Sequence, residues 1–263
     1  MNEYLDGKKL YGDDFSYENI KKWYLEEEEG YSALNTSNVT SGYEYHELNK
    51  LYGYKYLPSG VIGKTIGFGS ALGDEFKPIE GLLRKVFILE PSEKLHGDVN
   101  DLYDVVYIKP DILGELDFES NSIDLITCFG VLHHIPNVSY VLSEMYRVLA
   151  KGGYCLIREP VISMGDWEKL RPGLTKNERG VPVRLFDEML SKAGFSVVKK
   201  SGIISPLTMK VARLFFNKKP FNSKFFTMLD RFFSFIFPSQ SVYHRTKYLE
   251  KLSPMAVYYV LQK

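Results

Sequence analysis

The chain has 263 residues, 44% hydrophobic and 25% charged, and its 33 basic residues equal its 33 acidic ones. That is a globular composition long enough to bury a full core, and a formal charge of zero gives no reason to expect nucleic acid or another polyanion as partner. With 19 tyrosines and 17 phenylalanines, apolar ring-lined surfaces are expected instead.

The N-terminus MNEYLDGKKLYGDDF lacks a signal-peptide core, and no apolar run reaches roughly 18 residues, so a cytoplasmic chain is expected. Residues 1–50 are aromatic and acidic and read as a helical extension. Within its helix KKWYLEEEEGYSAL, Glu26, Glu27, Glu28 and Glu29 read as a solvated face. Tyr43, Tyr45 and His46 in SGYEYHELNK read as surface-helix residues with aromatic packing, or as residues that reach a site if the N-terminal helices close over it.

From Val61 onward, short apolar runs alternate with helical stretches, the pattern of a parallel sheet. Strands are predicted at VIGKTI, KVFILE (85–90), DVVYI (104–108), IDLITCF (123–129) and GYCLIRE (153–159), with a helix at 71–83 after the first. Val138, Val141, Leu142, Met145 and Leu149 recur at helical spacing before Gly152-Gly153, completing a βαβ unit. A helix VRLFDEMLSKAG, a strand GFSVVKKS and a final strand MAVYYVLQK follow. Cys128 and Cys155 sit inside strand runs, which suits buried thiols better than a disulfide or metal framework.

The segment 203–253 carries nine lysines and arginines against Asp230 and Glu250. Its helix NSKFFTMLDRFFSFIFP places Phe225, Phe226, Leu229, Phe232, Phe233 and Ile236 on one face, with Lys224, Thr227, Asp230, Arg231 and Ser234 largely on the other. A cap laid over an acceptor site is the first reading of this segment. A peripheral membrane contact through 221–237 is the second and an oligomer contact the third. The chain thus divides into an extension (1–50), a core (51–202), a cap insertion (203–253) and a last core strand (254–263).

Two glycine motifs meet in GVIGKTIGFGSALG. A P-loop would need glycine where Pro58 stands, and proline has neither the N–H nor the conformation. Lys64 and Thr65 therefore read as strand residues. Gly67 and Gly69 follow a strand, where a backbone must approach a ligand at the sheet edge, although a third nucleotide-loop glycine is replaced by Leu72. Glu90 lies 23 residues after Gly67 at the end of the second strand, placed to accept bonds from both hydroxyls of a ribose.

The ordered set TIGFGSALG, ILEPS, PDILGELDFESNSIDLITCFGVLHHIPN and MYRVLAKGGYCLIREP resembles the class I S-adenosylmethionine-dependent methyltransferases, in their small-molecule, type 11-like branch. The resemblance covers roughly residues 60 to 160 and implies an α/β, doubly wound Rossmann-like sheet of about seven strands with a reversed C-terminal strand. It also implies S-adenosylmethionine as cofactor and methyl transfer to a small-molecule acceptor, oxygen favoured over nitrogen. On that resemblance Gly67, Phe68 and Gly69 pass under the cofactor and Glu90 holds its ribose, with Ser70 and Pro91 also cofactor-binding and the Thr65 hydroxyl or an N-terminal residue holding the amino group. Asp111 and Ile112 meet its adenine, and Phe129 and Gly130 meet its amino group. Asp111 serves equally well as a turn cap.

Two departures stand out: Thr65 occupies a position where the family carries an acid, and Ala71 replaces a glycine. His134, His133 and Glu159 are the candidate bases, each with a structural role as its alternative; no metal is called for. The long connection 166–182 reads as a lid, with Arg171 and Arg179 able to grip an anionic acceptor or simply to lie in solvent. A nicotinamide-dependent oxidoreductase and a non-catalytic cofactor-binding protein are the competing classes.

Overall fold

A computed structural model describes residues 3–35, 42–96, 102–165, 171, 173–215, 219–237 and 242–263. The β-rich runs form β1 (Ile62–Phe68), β2 (Leu83–Leu89), β3 (Asp104–Ile108), β4 (Ile123–Phe129), β5 (Leu149–Pro160), β6 (Ser196–Ile203) and β7 (Ala256–Gln262). They pair into one sheet in the order β3-β2-β1-β4-β5-β7-β6. β7 alone runs antiparallel, to β5 and to β6, while the other pairings are parallel. The strand order reverses between β1 and β4, so a crevice opens beyond the carboxyl ends of those two strands.

Both faces of the sheet are covered, which is why the central strands are apolar on both sides. On one face α3 (Val138–Val148) and α4 (Val183–Ala193) bury Val141, Leu142, Met145, Phe186 and Leu190 against Ile66, Ile126 and Ile157. On the other, α2 (His46–Tyr52) and a 3-10 segment, Asp74–Leu82, bury Leu48, Phe76 and Ile79 against Val86, Leu125 and Tyr258. Each such side chain contributes about 1.5–3 kcal/mol on burial. Both cysteines are free and buried.

Three expectations change. The helix predicted at 71–83 is the 3-10 segment, entered only after Ala71 and Gly73 have taken left-handed φ of 45° and 73°. Those two residues use up the first turn, and Pro78 inside the segment denies it an α-helical amide. The acidic run belongs to α1 (Tyr17–Asn35), but it is a docked face: Ile20, Trp23 and Glu27 are buried at helical spacing. Glu26 pairs with Lys176 at 2.7 Å and Glu28 with Lys109 at 3.2 Å, while the side chain of Glu29 lies outside the described residues.

The third change concerns α6 (Lys224–Ile236), which follows α5 (Pro206–Leu214). Its polar edge is the buried one, with Thr227, Asp230 and Ser234 inside and Phe225, Phe232 and Phe235 outside. The Asp230 carboxylate accepts the Ile204 and Ser205 amides at 2.9 and 2.7 Å just before α5, and this pins the polar edge inward. Among the described residues no helix is long and apolar enough to cross a membrane.

Candidate functional site

A cleft of about 890 Å³, including its solvent-open mouth, lies at the β1/β4 crevice. Phe68, Gly69, Glu90, Pro91, Asp111, Ile112, Gly130 and His134 all line it, so most of the sequence-predicted set converges here. Leu89, Pro110, Ile135 and Pro136 add apolar wall, and Tyr24, Glu27 and Glu28 of α1 close the rim. Burial, then the nearby Glu28 and Glu90, pushes the Tyr24 hydroxyl up to about 12, so it is a neutral donor.

The polar groups are fixed by backbone. Gly69 holds φ at 65°, its N–H bonded to the Leu89 carbonyl at 2.8 Å, and a Cβ there would stand 2.6 Å from the Val131 side chain. Glu90 is buried at the end of β2, accepting the Ala71 amide at 3.2 Å and the Ser92 amide at 3.1 Å. Burial raises its pKa and the two amides restrain that rise. Asp111 accepts the Leu113 amide at 2.8 Å, the turn-cap role the sequence allowed, and it also lines the cleft.

The Leu132–His134 turn after β4 separates the three candidate bases. The His134 ring lies at the cleft with Nδ1 2.8 Å from a Glu27 oxygen. Glu27 also accepts the Asn177 amide at 3.2 Å. His133 and Glu159 lie behind it, buried and 2.8 Å apart, and neither lines the cleft. Glu159 is the cap of this turn, accepting the Val131, Leu132 and His133 amides at 2.7, 2.9 and 3.3 Å. Burial would raise its pKa, but His133 and the Val131 and Leu132 amides outweigh it and hold the carboxyl below its ordinary value. Burial, then the neighbouring His134, lowers the pKa of His133. Ligand-type atoms of His133, His134 and Glu178 lie within 4.8 Å of one another.

The two arginines expected in solvent or on an acceptor do neither. Arg179 is fully buried and donates to the carbonyls of Tyr11, Leu132, His133, Ile135 and Pro136 at 2.9–3.3 Å. Arg171 donates to the Met164, Thr175, Lys176 and Glu178 carbonyls. Residues 166–170 and 172 of the expected lid lie outside the described residues, and the rest folds against α1 through Lys176 and Asn177.

Thr65, Gly67, Ser70 and Phe129 do not line the cleft. The Thr65 hydroxyl is buried without a hydrogen-bond partner. Next to Ser70 sits a residue the sequence reading passed over. Glu75 is buried, 3.4 Å from the Thr127 hydroxyl, and its pKa is raised to about 7 by burial against weaker opposition from Ser70 and Arg158. Arg158, buried at the end of β5, stands 3.7 Å from the Tyr45 ring and 5.2 Å from Phe129. Tyr43 lies 6.0 Å from the Arg158 guanidinium and packs on His46, whose Nε2 is 2.8 Å from the Asp74 carbonyl.

Residues 66–157 match the family model described as a methyltransferase domain. A curated Mycolicibacterium smegmatis protein named "Probable S-adenosylmethionine-dependent methyltransferase" is 29% identical over 156 residues. That alignment covers 57% of this chain and 59% of the relative, so the chain matches about three-fifths of that protein's length. Among solved structures, a Leishmania major S-adenosylmethionine-dependent methyltransferase superposes with a TM-score of 0.58 at 13% identity, over 91% of this chain and 83% of its own. A Haemonchus contortus phosphoethanolamine N-methyltransferase in complex with phosphomonomethylethanolamine and S-adenosylhomocysteine gives 0.54 at 16% identity, over 82% and 52%. At such identities the two structures speak for the fold. The glycine turn, the strand-end acids and the reversed β7 agree with that likeness: residues 66–157 are similar to the methyltransferase domain family, and the fold is that of S-adenosylmethionine-dependent methyltransferases.

Proposed function

We propose that this chain transfers the methyl group of S-adenosylmethionine to a small-molecule acceptor, at oxygen in preference to nitrogen. The observation that carries the reading is a single cleft with the glycine turn, Glu90 and Asp111 along its floor and the Glu27–His134 pair at its rim. The residues present fit the cofactor. Glu90 is held by two amides with lone pairs left for a ribose, Ile112 and Pro91 offer apolar contact to an adenine ring, and the Thr65 hydroxyl lacks a partner.

S-adenosylmethionine supplies, when bound, an electrophilic methyl group on a sulfonium sulfur. The chain's part is to hold the acceptor in line with that carbon, to exclude water and to take up the acceptor's proton. In the tautomer whose Nδ1 donates to Glu27, Nε2 of His134 is the basic nitrogen suited to take a hydroxyl proton. An amine acceptor needs no such base once uncharged, and this is why oxygen is favoured. Glu75, next to Ser70 of the glycine turn, and Arg158 supply opposite charges suited to the amino and carboxylate groups of the methionine portion. Glu75 then takes over the work of the acid missing at Thr65.

Calorimetric titration with S-adenosylmethionine, S-adenosylhomocysteine and NAD tests the cofactor. Both methionine-derived ligands are expected to bind; NAD binding in their place would overturn the reading in favour of an oxidoreductase. The base assignment is tested by His134→Gln across a panel of hydroxyl acceptors. A fall of about 100- to 10,000-fold in kcat is expected with cofactor affinity unchanged. Undiminished turnover would remove His134 from the chemistry.

A further inference from the structure

α6 turns its apolar stripe to solvent. Phe225 is 66% exposed, Phe232 57% and Phe235 81%, and Met228 and Ile236 lie between them on the same side. Positions 225, 228, 232, 235 and 236 fall on one helical face. The surface continues onto α5, where Leu214 and Phe215 are exposed and Phe215 reaches Phe225 through the shared neighbour Phe226, at ring distances of 6.3 and 5.2 Å. So large a contiguous aromatic surface is unusual on a soluble domain and marks a docking face. It contributes no residue to the cleft.

Charge selects the occupant. Lys210, Arg213, Lys224 and Arg231 are exposed around this surface. The two acids of the segment are withdrawn: Asp230 is buried on the Ile204 and Ser205 amides, and Glu250 accepts the Thr246 and Lys247 amides. A second copy packed on the same patch would bring like charges face to face. An anionic bilayer meets both features, taking the rings at the headgroup boundary while lysine and arginine heads stay at the phosphates. The helix cannot roll to hide the rings, because that would pull Asp230 off the two amides it accepts.

We propose that the α5–α6 surface is a docking face for an anionic membrane, on which α6 lies parallel to the bilayer plane. The buried polar edge and exposed aromatic edge are then the orientation an interfacial helix requires. This assignment is independent of the reaction in the cleft.

The test is flotation of the full chain with vesicles of phosphatidylcholine alone and of phosphatidylcholine mixed with phosphatidylglycerol. The protein is expected to float with the anionic vesicles and to be released by salt. Phe225→Ser/Phe232→Ser/Phe235→Ser is expected to cut partitioning by about tenfold or more, and Lys224→Glu/Arg231→Glu to abolish the preference for anionic lipid. Because all five positions are exposed, thermal unfolding and S-adenosylhomocysteine binding should match the parent. As a check free of multiple substitutions, Phe235→Trp should show an emission blue shift with anionic vesicles that the parent protein lacks. No flotation of the parent protein, or no shift in Phe235→Trp, overturns the proposal. Self-association without vesicle binding, dissolved by the triple substitution, also overturns it and assigns the face to a second copy.

Discussion

Glu75→Gln is expected to make the protein more stable and a poorer binder of its cofactor. Glu75 has a folded pKa of about 7, raised by burial from an ordinary 4.5. Between those values the folded chain keeps a proton that the unfolded chain has released. Its contribution is therefore most favourable below about pH 4.5, is lost as the pH rises to about 7, and stays lost above that. At about 1.4 kcal/mol per pH unit, the gap corresponds to a loss of about 3 kcal/mol at pH 8 relative to pH 4. Glutamine keeps the shape and never ionises. Urea unfolding of the cofactor-free variant should show that slope removed, with a gain of about 2–3 kcal/mol over the parent at pH 8 and little difference near pH 4. Cofactor affinity should move the other way: losing a charged partner for an ammonium group costs about 1.5–3 kcal/mol, or roughly 10- to 150-fold in Kd. A cofactor analogue lacking that amino group should bind parent and variant alike. An unchanged pH slope would refute the assigned burial, and unchanged affinity would refute the functional role.

Two further substitutions separate site from scaffold. Glu90→Gln is expected to weaken S-adenosylhomocysteine binding by about 10- to 100-fold in calorimetry, since its charged acceptor is lost while its shape is kept. Arg179→Met is expected to cost about 3–5 kcal/mol in urea unfolding. The Leu132 and Pro136 carbonyls retain the Ile135 and Val138 amides as partners, so the damage concentrates on Ile135 and on the Tyr11 contact to the N-terminal region. A loss below about 1 kcal/mol would show that solvent replaces the guanidinium.

The sheet was legible because its central strand runs are β-rich and apolar on both faces, a pattern that survives without knowing its neighbours. Gly69, Glu90, Asp111 and Gly130 were legible for the same reason: strand ends and turn residues report backbone geometry, and in a doubly wound sheet strand ends meet at the switch point. What the sequence hid was decided by partners distant along the chain. Nothing local in a run of four glutamates says that Glu27 will meet His134, 107 residues away. Helical periodicity found both faces of α6 but could not tell which would face the protein, since Asp230 was to be satisfied by two amides rather than by water. Glu75 left a fainter signal: it sits beside Phe76 in a run whose apolar neighbours are core, an acid placed where the pattern has no use for one.

Three carboxylates meet two adjacent histidines after β4, and geometry rather than residue type assigns their work. Glu159 spends its oxygens on three amides and the His133 ring, so it builds the turn and has nothing left for a substrate. Glu178 accepts the Thr175 amide at 3.1 Å and stands 3.6 Å from His133, so it closes the loop onto the same turn. Glu27 alone reaches the ring at the cleft, and it arrives on α1, outside the matched domain. The α/β core thus supplies the glycine turn and strand-end acids that line the cleft, and the histidine turn that Glu159 caps. The carboxylate that would set that histidine's tautomer is brought by a separate helix, held by Glu26 on Lys176 and Asn177. On the proposed mechanism the partner of His134 therefore depends on the docking of α1, whose Ile20 and Trp23 are buried and whose Glu26 is tied to Lys176 and Asn177.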